Sequence, residues 1–134
     1  MFKLIKIQNS GVNVPEPQSI AKGSGKIKRA SALIISGGKA VAPGATTAPT
    51  HIALADAAEG DTTVTCAQIS PLMVFECPVK DGTPTSLTVG TKVCLAIEDG
   101  CAVGVNTTTA SGVATVYDTL GATKVGDKIL ITFR

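Results

Sequence analysis

The stretch Val93-Cys-Leu-Ala-Ile-Glu-Asp-Gly-Cys-Ala-Val-Gly-Val105 constrains the fold more than any other part of the chain, because it reads as a β-hairpin with a definable register. Val93, Leu95 and Ile97 alternate with Cys94, Ala96 and Glu98, the period of two that a strand buried on one face requires. Glu98-Asp99-Gly100 supplies turn chemistry. A three-residue loop with Gly100 in the left-handed position opposes Ile97 to Cys101, Leu95 to Val103 and Val93 to Val105. One face is then wholly apolar, and the other carries Cys94, Ala96, Ala102, Gly104 and Asn106, which are small. A two-residue Asp99-Gly100 turn would put Val103 and Val105 on the side of Glu98, so the three-residue register is preferred.

The same pattern recurs along nearly the whole chain, with no helical period of useful length, and predicts an all-β protein. Strands are expected over 2–8, 32–35, 39–42, 51–55, 62–69, 73–77, 86–89, 112–117 and 128–133, with Gly37-Gly38 as a tight hairpin turn and Lys80-Asp81-Gly82 as another turn. Val89-Gly-Thr-Lys-Val93 and Val125-Gly-Asp-Lys-Ile129 read as one turn solution used twice, each leading into a strand. Pro15 and Pro17 exclude regular structure around them, and Gly23-Ser-Gly25 adds freedom. Residues 1–29 are therefore expected to form an extended arm with a short strand, and residues 30–134 a single β-domain.

A chain of 134 residues buries roughly two thirds of the surface its unfolded form exposes, enough for one core. That core is short of rings: Phe2, Phe75, Phe133 and Tyr117 are the whole aromatic complement. Only 16% of residues are charged, an unusual balance for a small monomer, and association with a partner or with copies of itself would relieve it. Residues 1–29 hold six cations against Glu16 alone, a net of +5, whereas the remainder is net −3. The chain has a basic beginning and an acidic body.

No apolar run approaches the ~20 residues that span a bilayer. Lys6 interrupts what would be the apolar region of a signal peptide, so export by that route is not expected. Cys66, Cys77, Cys94 and Cys101 include no C-x-x-C pair and are expected to be free, reduced small hydrophobes. Catalytic chemistry has little to build on: His51 is the lone histidine, expected as a partly exposed strand residue, and no nucleophile motif accompanies it. Asp56, Glu59 and Asp61 lack calcium-loop spacing and read as a solvated turn. Lys22-Gly-Ser-Gly-Lys-Ile-Lys-Arg29 lacks the glycine spacing of a phosphate loop and the interleaved aromatics of a single-strand binder. Its cations are better read as a surface that docks on acidic protein.

Taken in order, Pro49-Thr-His-Ile-Ala-Leu-Ala-Asp-Ala-Ala, Val64-Thr-Cys-Ala-Gln-Ile69, Met73-Val-Phe-Glu-Cys-Pro-Val79, Val89-Gly-Thr-Lys-Val93 and Val125-Gly-Asp-Lys-Ile-Leu-Ile131 resemble the capsid decoration (cement, head-stabilising) proteins of tailed bacteriophages. Lys3-Leu-Ile-Lys-Ile-Gln-Asn9 and Asn13-Val-Pro-Glu-Pro17 are similar to members of that group as well. The resemblance implies a small β-barrel or β-tulip domain on the outside of an icosahedral head, commonly a trimer, that clamps neighbouring subunits of the major capsid protein. It implies a virion location after synthesis in the host cytoplasm. It implies no enzyme activity, no cofactor, no metal, no membrane, no specific nucleic acid and no small-molecule substrate. On this reading the amino-terminal arm contributes to docking, with Phe2, Leu4, Ile5 and Ile7 as apolar or strand-pairing contacts and Lys22, Lys26, Lys28 and Arg29 facing acidic groups on the capsid. The alternatives are a small cytoplasmic β-barrel that binds nucleic acid, and another phage structural protein of the head fibre or tail.

Overall fold

The computed structural model describes residues 1–8 and 15–134. Its strands are β1 (Lys3–Ile7), β2 (Gln18–Ala21), β3 (Ala32–Ser36), β4 (Lys39–Val41), β5 (His51–Ala53), β6 (Thr63–Gln68), β7 (Met73–Asp81), β8 (Lys92–Val93), β9 (Leu95–Glu98), β10 (Cys101–Asn106), β11 (Ala114–Asp118) and β12 (Lys128–Thr132). The sole helical element among the described residues is a 3-10 turn at Pro84–Ser86. The all-β class is as the alternation predicts.

The strands join into one sheet in the order β2-β6-β5-β3-β10-β7-β12-β11-β8, with β1 on β7, β4 on β3 and β9 on β10. The pair of β10 with β7 is parallel and the others are antiparallel. β7 organises this arrangement. On one edge it carries β12, from Phe75 to Pro78. On the other it carries β1 along Met73–Glu76 and then β10 from Val79 onward, and Pro78, which has no N–H to give, falls in the gap between those two partners.

Two cores lie within the curled sheet. The larger gathers Phe2, Phe75, Leu95, Val105, Ile129 and Ile131 among others, and Phe133 bridges Phe2 and Phe75 with ring centroids 5.4 Å from each. The smaller collects Ile27, Leu33, Ala40, Ala53, Val64 and Cys66. A parallel bridge from Lys22 to Ala40 brings the end of β2 against β4, so β2, β6, β5, β3 and β4 wrap the smaller core. Around the larger core, β8 pairs with β11 and the next segment, β9, with β10. At Cys94, between them, the N–H turns away to Thr108 O at 2.9 Å. The sheet is open and does not close into a barrel, which is one of the two forms, β-barrel or β-tulip, that the resemblance implies.

The opening hairpin takes a different register from the one its alternation favours. Asp99 and Gly100 both have positive φ, 53° and 74°, which makes the two-residue turn matched to the right-handed twist of the strands. Glu98 consequently pairs with Cys101 and Ile97 with Ala102. A one-residue slip between Ala102 and Gly104 then sets Val105 opposite Leu95, both fully buried. The bulge removes the objection to the short turn, because the two halves of β10 need not share one register. Gly104 is required where β10 meets β7: a Cβ there would lie 2.5 Å from Pro78 O.

The described parts of the expected arm are built into the body. β1 pairs with β7, β2 pairs with β6, Phe2 N–H donates to Ala30 O at 2.8 Å, and Ile27 N–H donates to Ala57 O at 2.8 Å. With so few rings available, Phe2 is worth more in the core than in solvent, and burial overrides the basic, proline-flanked look of the segment. Two further expectations change. β7 runs on through the residues read as the Lys80-Asp81 turn, and residues 86–89 are not a strand, Leu87 instead packing into the larger core after the 3-10 turn.

Candidate docking surface

The residues expected to dock are mostly engaged within the chain. Phe2 is 2% exposed, and Leu4 and Ile7 pack partly buried against the same larger core. Ile5 is half-buried on β1. Lys22 is buried, and its Nζ donates to the carbonyls of Gly23 at 3.0 Å and Glu59 at 3.1 Å. Lys26 and Lys28 both reach Asp99 at the β9–β10 turn, Lys28 at 3.5 Å. The ammonium of Lys26, hydrogen-bonded to Asp99, holds that carboxyl below its usual range, and its own pKa rises in return. The main-chain N–H of Arg29 donates to Asp56 Oδ1 at 2.7 Å while its side chain stays exposed. The acid that Lys26 and Lys28 face is thus this chain's own Asp99, while Lys26, Lys28 and Arg29 keep part or all of their side chains open to solvent.

Large apolar side chains are exposed elsewhere. Ile35 precedes the Gly37-Gly38 turn, and Ile97, 43% exposed, precedes the Asp99-Gly100 turn. Because Ala102 pairs antiparallel with Ala32, both turns project from the same end of the sheet. A second group lies on β11 and the turn before β8: Val89, 68% exposed, and Tyr117 line a shallow groove of about 270 Å³ with Gln8, Thr115 and Arg134. Lys6 Nζ sits 5.0 Å from the Tyr117 ring centroid, a cation–π contact that holds β1 over this face. Sequence reading missed both groups. Ile97 lies in phase with buried Leu95 and so looks like core, and Val89 belongs to a stretch that looks like a strand; only the turn geometry exposes them.

The carboxylates of Asp56, Glu59 and Asp61 accept from three separate main-chain N–H groups, those of Arg29, Gly25 and Ala58, instead of converging. Among the described residues no group of three metal-ligating side chains is gathered. His51 is buried rather than partly exposed, because β5 lies between β3 and β6; its Nδ1 meets Thr50 Oγ1 at 2.8 Å, and burial lowers its pKa. All four cysteines are free and buried. Cys94 Sγ donates to Ala110 O and Cys101 Sγ to Lys26 O, so these two thiols occupy different surroundings, and burial pushes the Cys77 thiol up to about 12.

These features define a class: a single-sheet all-β domain with exposed apolar side chains at one end and along one face. No helix among the described residues is long and apolar enough to cross a membrane. No family model, curated protein or solved structure matches the chain.

Proposed function

We propose that this chain is a structural virion protein that decorates the outer surface of a tailed-phage capsid and stabilises the head by bridging neighbouring major capsid subunits, as a trimer. The observation that carries the reading is the exposure of Ile35, Ile97 and Val89 on a body with few charges, a surface suited to burial against a partner. The segments that resemble decoration proteins support it further: they form β5, β6 and β7, the strands on which both cores are built. Because the amino-terminal segment is committed to the fold, docking moves from that segment to the paired turns and to the Val89–Tyr117 face.

The mechanism is additive binding. An interface of ordinary size takes about 800 Å² from each partner, and this chain exposes 6502 Å² in all. Each bound copy favours the assembled shell over its separated subunits by mass action, and many copies together oppose the outward pressure of packaged DNA. Co-sedimentation with assembled heads of the encoding phage tests this. The chain should pellet with heads, and both Ile97→Glu and Val89→Glu should weaken pelleting while leaving the fold intact. A chain that remains in the supernatant at micromolar concentration with every head preparation overturns the reading.

A further inference from the structure

The dipeptide Asp-Gly occurs twice, at Asp81-Gly82 and Asp99-Gly100. A following glycine leaves the next main-chain nitrogen unshielded, which makes such pairs the usual places where an aspartate side chain is attacked by its own backbone. The two sites differ in what holds the carboxylate. Asp81 is exposed at the end of β7, and its Oδ1 accepts the Gly82 N–H at 2.8 Å, which sets the nucleophilic nitrogen beside the carboxyl carbon. Asp99 is held differently: its Oδ2 is bound by both Lys26 and Lys28, which favour its ionised form.

We propose that Asp81 is a site of spontaneous isoaspartate formation in the folded chain, and that Asp99 is protected from the same reaction by its two lysines. The Gly82 nitrogen attacks the Asp81 side-chain carbonyl carbon in its protonated carboxyl form. A C–N bond forms, the N–H proton is lost, and the hydroxyl leaves as water, giving a five-membered imide. Water then adds back at either carbonyl. Opening at the side-chain carbonyl restores aspartate, and opening at the main-chain carbonyl leaves the chain running through the β-carboxyl. One water is released and one consumed, and no oxidant or reductant takes part.

The product carries an extra carbon in the backbone at a crowded point. Asn106 pairs with Asp81 at the end of the β10–β7 ladder, and Thr107 Oγ1 accepts the Thr83 N–H at 3.1 Å. Both contacts depend on the native spacing between β7 and the loop after it, so conversion disturbs the join at Gly82 and Thr83. This inference goes beyond the proposed function and holds whatever the chain binds.

Ageing the intact chain at neutral pH and 37 °C, followed by tryptic digestion and fragmentation that distinguishes isoaspartate, tests it, because cleavage after Lys80, Lys92 and Lys124 puts Asp81 and Asp99 in separate peptides. Isoaspartate should build up at Asp81 about tenfold or more faster than at Asp99, about 1.4 kcal/mol in the barrier. In urea, where the lysines are released, the two sites should convert alike. The Lys26→Ala/Lys28→Ala double variant should raise conversion at Asp99 in the folded chain. Equal rates at the two sites in the native chain, an Asp81 that converts in urea but not when folded, or an Asp99 indifferent to loss of its lysines would each overturn the proposal.

Discussion

Replacing Phe2 by alanine separates a core residue from a docking contact more sharply than any other single change. The side chain is 2% exposed, packs edge-on against Phe133 at 5.4 Å, and through it joins Phe75 in the larger core. Truncating a buried phenylalanine costs about 3–5 kcal/mol from lost transfer energy and the cavity left behind, against a total stability of about 5–15 kcal/mol for a domain of ordinary stability. A chain of this size should then melt about 10–20 °C lower. Phe2→Leu, which keeps most of the volume, should cost less than about 1.5 kcal/mol. Urea titration followed by far-ultraviolet circular dichroism suits a chain without tryptophan, and the midpoint should fall while the slope stays constant. If Phe2→Ala shifts stability by less than about 0.5 kcal/mol, as a surface residue would, the amino terminus is not part of the core and the docking role returns to it.

Deleting residues 1–29 removes β1, β2, Phe2 and Ile27 together, so the remainder should lose its cooperative transition and its dispersed amide spectrum rather than persist as a folded body. Gly104→Ala should destabilise strongly, by about 2 kcal/mol or more, because its methyl would meet Pro78 O at 2.5 Å; differential scanning calorimetry reads the loss. Burial lowers the His51 pKa from 6.5, so below that value the unfolded chain binds the proton more readily than the native one. Stability should therefore rise with pH through the window at and just below 6.5, and His51→Gln should flatten that part of the pH profile of the urea midpoint. The four buried thiols should react with a thiol reagent only on unfolding, and rapid reaction of any one in the native chain would contradict the packing around it.

Much of the sheet was legible because strands buried on one face must alternate. β3, β6, β11 and β12 fall close to where the pattern puts them, and the repeated Val-Gly-x-Lys turn leads into β8 and β12 as read. What escaped was anything decided by partners distant in sequence. The register of the β9–β10 hairpin turns on a bulge that the close approach to Pro78 makes favourable, and β2 looked like arm because its partner β6 lies some forty residues further on. The surface was less legible than the fold. A lysine reads as free charge until the chain brings it to Asp99 or to the carbonyl of Glu59, and an isoleucine reads as core until the turn beside it lifts it into solvent.

The position of β7 between β1 and β12 carries a consequence for how the protein is made. β1 leaves the ribosome before the other strands described, yet the rings packed beside it include Phe133, which emerges more than a hundred residues later. β2 to β6 can collect around the smaller core while synthesis continues, since their ladders and packing are largely complete without the late strands. The larger core cannot close until β12 and Phe133 have been made, and until then Phe2 and β1 are left without their full complement of neighbours. A product that stops short of Phe133 therefore lacks the ring that joins Phe2 to Phe75 and stays open to proteolysis.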